Sequence, residues 1–344
     1  MRLLPERLKE KAFVLHRYPG EKKLRLIEID PEKIVETRRI EQAGYYIAPF
    51  QTDDNKSITV FPDGFSEKSL IDPEELSGRN LDNKLVINEI PPSLHKDKVS
   101  RAISLIESGQ AEKIVVSSYW DAGIEQFDPF GSFARLNEHY PQSYVFYIHI
   151  PGAFSLMGAS PEVLLKYEGR EGIVYSLAGT KFRSQPREWT AKERHEQALV
   201  TDYIKRKLIA FKYPFNIDGP YDFTQGDLIH LRTDFLFFFE PSLKEIEKII
   251  HSLHPTPAVA GLPKEKALSL IPGIEQYDRE FYTGFVGEIG EESGALYVNL
   301  RSVKIRDGII RFYAGGGITK DSNPEAEWQE VLHKRDVLFK ILSE

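Results

Sequence analysis

Carboxylates at helical spacing are the first groups in this sequence with chemical potential. Glu327, Glu330 and Lys334 stand at i, i+3 and i+7, which is one face of a helix. Upstream, Glu193 and Glu196 are also three apart. Two carboxylates from each of two helices make a hard-oxygen site of the kind that holds Mg²⁺ together with waters. Each acid also has an ordinary role. Glu193 fits a capping box with Thr190, Glu327 a first-turn charge on the helix dipole, and Glu330 a solvated pair with Lys334. Both readings stand at this level. Lys113 opens the β-branched run Lys113-Ile114-Val115-Val116. A lysine there either snorkels to a sheet rim or is desolvated into a neutral base.

Other candidates are weaker. Gly158-Ala159-Ser160-Pro161-Glu162 superficially matches a serine-hydrolase elbow, but Glu162 replaces the final Gly and Pro161 has no N–H for an oxyanion hole. On its own the motif reads as a turn at a strand end. Gly315-Gly316-Gly317 offers either several N–H groups to one anion or a flexible turn, without the spacing of a nucleotide loop. His195-Glu196 lacks a second histidine four residues on, and His251 and His254 stand just before Pro255, where a helix ends. No histidine zinc site is expected.

The elements that must position these groups read as follows. A helix is expected from Lys96 to Ser108 and a strand at Lys113 to Val116. Hairpin-like segments cover Tyr144 to Ile150 and Ala153 to Tyr167, with a return at Gly172 to Ala178. Thr190-Ala191-Lys192-Glu193 opens a helix reaching about Phe211, and Pro241 to Leu253 forms another. Leu296 to Val303, with Arg301 on it, and Ile309 to Tyr313 flank the hairpin turn Asp307-Gly308. The last helix is capped by Ser322 or Asn323, with Pro324 at its first position. The stretch from Asp53 to Pro92, rich in turn residues but carrying apolar segments, reads as ordered loops and short strands. Hairpins with helices between them predict an α+β fold with antiparallel sheets.

Composition narrows the function. Among 344 residues there is no cysteine, so disulfides, cysteine-based metal sites and a thiol nucleophile are excluded. The net charge of −7 argues against nucleic acid, although a cleft can be locally basic on an acidic protein. The longest apolar run, Phe235 to Phe239, is far too short for a membrane span, and no apolar segment of a signal peptide follows Met1. A cytoplasmic location is expected, with neither a membrane nor a nucleic-acid partner.

The weak signals occur together and in order, and that order resembles the chorismate-utilising enzymes. The resemblance covers about Lys96 to the C-terminus and leaves residues 1–90 loosely matched, within a single domain over 1–344. It rests on Ala111-Glu112-Lys113-Ile114-Val115-Val116, Gly158 to Glu162, Leu177-Ala178-Gly179-Thr180, Lys192-Glu193-Arg194-His195-Glu196, and Ala314-Gly315-Gly316-Gly317-Ile318 running to Glu327-Trp328-Gln329-Glu330. His254-Pro255-Thr256-Pro257-Ala258-Val259 and Tyr277-Asp278-Arg279 look like the isochorismate-forming branch.

The resemblance implies two packed antiparallel sheets with helices outside, and isomerisation of chorismate to isochorismate by addition of water at C2 and loss of the C4 hydroxyl. It makes Lys113 the base and Glu162 the acid, so burial must favour a neutral lysine and a protonated glutamate. Mg²⁺ is the implied cofactor, with Glu196 and Glu330 as direct ligands and Glu193 and Glu327 nearby or water-mediated. Substrate binding falls to Arg301, Lys334, Gly179, Thr180, Gly315 and Ala258. The substrate is chorismate, with no obligatory protein partner, and the product feeds menaquinone or siderophore synthesis. A salicylate synthase and an aminodeoxychorismate or anthranilate synthase subunit are the alternatives, and the His254–Pro257 motif with Ala258 argues against both. A non-catalytic binding protein is disfavoured by intact Lys113, Glu162, Glu196 and Glu330. Val259 in place of Leu, Glu288 in place of an aromatic, and Lys181-Phe182-Arg183 depart from the family pattern.

Overall fold

The computed structural model describes residues 4–8, 10–52, 56–62, 69–76, 82–183, 188–225 and 228–344. Their strands pair antiparallel throughout and form one ten-stranded and one nine-stranded sheet. The first sheet runs Gly261–Leu262, Lys113–Gln126, Ile309–Ile318, Ser302–Arg306, Phe154–Ser160, Tyr144–Ile150, Ala12–Arg17, Leu24–Ile29, Ser69–Ile71, and Lys84–Ile87 pairs on the far end of Lys113–Gln126. The second runs Phe215–Gln225, Leu228–Phe238, Glu171–Phe182, Val163–Glu168, Ser293–Val298, Phe285–Ile289, Gly44–Ala48, Ile58–Phe61, Val35–Thr37. Residues before Pro92 therefore complete both sheets.

The sheets face one another through an apolar layer that takes Val14 and Phe146 from the first and Ile47 and Val286 from the second. Helices cover the outer faces, as expected for the α+β class. Pro129–His139 and Pro324–Ser343 bury Phe133, Leu136, Val331 and Leu338 on the first sheet. Ala191–Phe211 and Leu243–Leu253 bury Val200, Leu208, Ile246 and Ile249 on the second. Burying such side chains stabilises by roughly 1.5–3 kcal/mol each, which is why apolar spacing rather than helix propensity fixes these helices. Pro92–Glu107 and Lys264–Glu275 pack on the outer side of the strand that begins at Lys113.

Several expectations are corrected. The arm expected over Ala153 to Tyr167 breaks at Pro161-Glu162, because the chain leaves the first sheet at Ser160 and enters the second at Val163. The arm expected over Leu296 to Val303 breaks likewise, crossing between sheets at Asn299 to Arg301. Arg301 is thus in a bend, at φ 48°, rather than on a strand. The triple glycine is the end of strand Ile309–Ile318, with Gly315, Gly316 and Gly317 paired to Ser117, Val116 and Val115. It is not a turn. The Asp53 to Pro92 stretch contains Ile58–Phe61, Ser69–Ile71 and Lys84–Ile87, while 53–55, 63–68 and 77–81 lie outside the described residues.

Candidate active site

The two sheet crossings lie side by side and carry opposite charges. Val298 N donates to Glu162 O at 3.0 Å, Ser160 Oγ to Val298 O at 2.5 Å, and Ala159 N to Arg301 O at 3.1 Å. Backbone bonds therefore fix Glu162 and Arg301 relative to each other. The Glu162 side chain is buried, and burial pushes its carboxyl up to about 8, against the opposing effects of the Thr256 hydroxyl at 3.3 Å and the Lys113 charge. It is predominantly protonated at neutral pH.

Arg301 points one nitrogen, Nη2, at His230 Nε2 (2.8 Å), while Nη1 is buried without a partner. A guanidinium only donates, so His230 Nε2 accepts and Nδ1 holds the proton, 3.2 Å from Thr180 Oγ1. Burial, then the charges of Arg301 and Lys334, hold the His230 pKa far below the ordinary histidine value. This keeps the imidazole neutral.

Lys113 comes from strand alternation. Ile114 and Val116 face the outer helices, so Lys113 and Val115 face inward. The side chain is fully buried rather than snorkelling, and Nζ lies 2.8 Å from Glu196 Oε1. Burial alone raises Glu196, but the charges of Lys113, Lys192 and Lys334 outweigh it and hold the carboxyl below its ordinary value.

The other predicted acids are matched by the same kind of partner. Lys192 Nζ meets Glu327 Oε1 at 2.5 Å, and Lys334 Nζ meets Glu330 Oε1 at 2.7 Å and Gly315 O at 3.0 Å. Glu193 makes the expected cap, accepting from Thr190 N at 3.1 Å and from the Thr190 hydroxyl. Among the described residues no three acidic or histidine side chains converge as a preformed cation site.

A test of fit for a hard dication is nevertheless available. Among the described residues no well-formed hydrogen bond reaches the buried Glu327 Oε2, and burial, then Glu330, raises its carboxyl pKa against the opposing Lys192 and Ser322. A Cβ added at Gly316 would lie 3.2 Å from that oxygen and 3.8 Å from Glu330 Oε1, and one at Gly317 only 2.2 Å from Glu196 Oε1. The missing side chains leave these carboxylates room beside the strand end, and an all-oxygen donor set suits Mg²⁺. The residues present fit the group.

Glu162, Gly179, Thr180, Glu196, Ala258 and Arg301 line one cleft, with Gly315, Glu330 and Lys334 also on its wall. Its atom-free space, open mouth included, is about 880 Å³. Gly179, at φ 70°, forms a bulge against strand Leu228–Phe238 and lets Glu193 of the helix approach closely. Glu193 and Glu327 lie instead in an adjoining depression that shares Thr180 and Glu330. Sequence reasoning missed His230, Thr256 and the pairing role of Lys192. His230 sits on a strand that carried no hairpin signal, whereas Thr256 and Lys192 lay inside motifs already noted.

Residues 51–343 match the family described as chorismate binding enzyme. The chain belongs to that family. Isochorismate synthase EntC of Escherichia coli K12 is 32% identical over 260 residues, 71% of this chain and 65% of its own length. Isochorismate synthase MenF of the same organism is 31% identical, over 71% and 59% respectively. The chain thus spans less than two thirds of these relatives. The structure of MenF, the menaquinone-specific isochorismate synthase, has a TM-score of 0.80 at 20% identity, covering 96% of this chain and 88% of that one. Anthranilate synthase component I of Streptococcus pneumoniae has a TM-score of 0.69 at 18% identity, covering 95% and 90%. These likenesses establish the chorismate-binding fold, as the sequence resemblance implied.

Proposed function

We propose that this chain converts chorismate to isochorismate. The observation that carries the reading is Glu162, a buried carboxyl whose pKa burial pushes up to about 8, in one cleft with an unpartnered Arg301 nitrogen and within electrostatic reach of buried Lys113. A protonated glutamate is an acid at neutral pH, and an arginine fork with Lys334 suits the two carboxylates of the substrate.

In this reading Arg301 Nη1 and Lys334 Nζ orient the dianion, and neutral His230 holds Arg301 Nη2 so that Nη1 points to substrate. Lys113 takes a proton from water as its oxygen bonds C2. Both ring double bonds shift, the C4–O bond breaks, and Glu162 gives its proton to the departing hydroxyl, which leaves as water. One water enters and one leaves, so the reaction is an isomerisation. Glu196 and Glu330, with Glu327 in reach, would hold Mg²⁺, which when bound neutralises the ring carboxylate and draws electron density from the ring. Glu193 holds the helix end and contributes through water at most.

Lys113 acts as base only while neutral, and it shares Glu196 with the proposed metal site. Water as nucleophile needs no ammonia-supplying partner protein. No helix among the described residues is long and apolar enough to cross a membrane.

The test is incubation of the purified chain with chorismate and Mg²⁺, with and without ammonium, and identification of products by NMR. Isochorismate in both arms is expected. Salicylate with pyruvate, or an aminated ring, refutes the proposal.

A further inference from the structure

Behind the cleft wall lies a buried ion pair that the mechanism above does not use. Arg279 and Glu275 are 2% and 3% exposed, and neither lines the cleft. Arg279 Nε and Nη2 grip Glu275 at 2.9 and 2.6 Å. The remaining donors reach three residues that do line the cleft. Nη2 donates to Val115 O at 2.9 Å, and Nη1 to Val259 O at 2.7 Å and Thr283 Oγ1 at 3.3 Å. All five N–H donors of the guanidinium are thereby used.

Glu275 is equally committed. Its Oε1 also accepts from Ser117 N at 2.6 Å and from Ser117 Oγ at 2.7 Å, and Tyr277 OH in turn donates to Ser117 Oγ at 2.5 Å. Ser117, Val115 and Lys113 project from the same face of one strand. Val115 N donates to Ala260 O at 2.9 Å and Glu112 N to Leu262 O at 2.7 Å, so the segment after Val259 is zipped to the start of that strand. The ion pair closes this zip at the cleft end.

We infer that Arg279, locked by Glu275, is a positioning residue that sets the gap between the strand carrying Lys113 and the Ala258–Val259 wall. This deepens the proposed function and rests on it for the identity of the reaction. A planar fork spans two carbonyls and a carboxylate at once, and a lysine ammonium at this place cannot. Because none of the Arg279 hydrogen bonds goes to Arg301 or Lys334, losing it moves the reacting groups while leaving the substrate anchors intact.

The test compares wild type with Arg279→Lys and with the double variant Glu275→Gln/Arg279→Met, which leaves no unpaired buried charge. Positioning predicts that Arg279→Lys does not rescue. Its kcat falls at least thirtyfold, KM for chorismate stays within threefold, and its melting temperature stays well above assay temperature. The double variant behaves the same way. A charge-only role predicts that lysine restores kcat to within threefold of wild type, which overturns the inference. So does an equal change in kcat and KM, or failure of both variants to fold, which would assign the pair to stability alone. Crystal structures of wild type and either variant read the gap directly, as the separation of Val115 O and Val259 O. A wild type that leaves chorismate unchanged removes the proposed isomerisation, and Arg279 is then judged on that separation. A wider gap in the variant upholds its role, and an unchanged gap overturns it.

Discussion

Replacing Thr256 by valine should move the alkaline limb of the pH–rate profile upward. At a pKa of about 8, roughly nine in ten Glu162 side chains are protonated at pH 7, whereas an ordinary carboxyl at 4.5 would be protonated in only about 0.3%. Burial thus raises the population of competent acid about 300-fold. The Thr256 hydroxyl works against this, since a hydrogen bond donated to a carboxylate favours the ionised form. Bonds to charged groups contribute about 1.5–3 kcal/mol, and one as long as 3.3 Å stands at or below the lower limit. At about 1.4 kcal/mol per pKa unit, its loss raises the Glu162 pKa by about 0.5–1 unit. Valine keeps the shape of the buried side chain, so the fold is preserved. The assay is kcat/KM for isochorismate formation from pH 6 to 10 at saturating Mg²⁺. Relative to its own plateau, the variant should be about three- to fivefold more active than wild type at pH 9. A limb that stays put or moves to lower pH means that the titrating acid is not Glu162.

Further outcomes are expected. Glu162→Gln should abolish turnover yet stabilise the protein. The wild-type carboxyl, raised by burial, loses stability as pH climbs from 4.5 towards about 8, and glutamine loses none. The gap between the two in urea unfolding should widen from pH 5 to 7, to at most about 3 kcal/mol, and a constant gap would exclude this burial cost. Lys113→Ala should lower kcat by about 10²–10⁴-fold while calorimetry shows chorismate binding within a few fold, and a near-normal rate would remove Lys113 as the base. Gly317→Ala drives a Cβ to 2.2 Å from Glu196 Oε1 and 2.7 Å from Lys113 Cε. It should cost about 1–3 kcal/mol of stability and at least tenfold in rate, while Gly123→Ala, whose nearest new contact is 3.9 Å, should do neither. Equal effects of the two substitutions would show that the triple glycine has no special closeness to the cleft.

Local patterns made some elements legible and non-local ones hid others. The helix Ala191–Phe211 ends where its capping box and apolar spacing place it, and Asn323 with Pro324 marks the start of Pro324–Ser343. Asp307-Gly308 takes the expected hairpin turn, both residues having positive φ. The sheet crossings at Pro161-Glu162 and at Asn299 to Arg301 were illegible, because alternation continues through a change of partner sheet and nothing in a single strand tells which sheet it joins. Lys264–Glu275 was not expected; it holds the breakers Pro272 and Gly273, and Ala267, Ile271 and Ile274 anchor it in a core that only the folded chain assembles. Within the cleft, residue types such as Lys113 and Glu162 were readable from motif order. The lysine matched to each glutamate was not, since Lys113 and Glu196, or Lys192 and Glu327, meet only after the helices dock.

Those three lysine–glutamate couples, Lys113–Glu196, Lys192–Glu327 and Lys334–Glu330, each set one positive against one negative formal charge at the proposed Mg²⁺ site before anything enters. A dianion arriving alone upsets that balance, and so does a dication, but the two together restore it. In the proposed function each should therefore tighten the hold on the other, and by thermodynamic reciprocity the factor must be the same whichever is measured. Chorismate affinity titrated with and without Mg²⁺, and Mg²⁺ affinity titrated with and without an inert chorismate analogue, should both rise by at least tenfold. Independent binding would show that the couples do not act as a shared counter-charge.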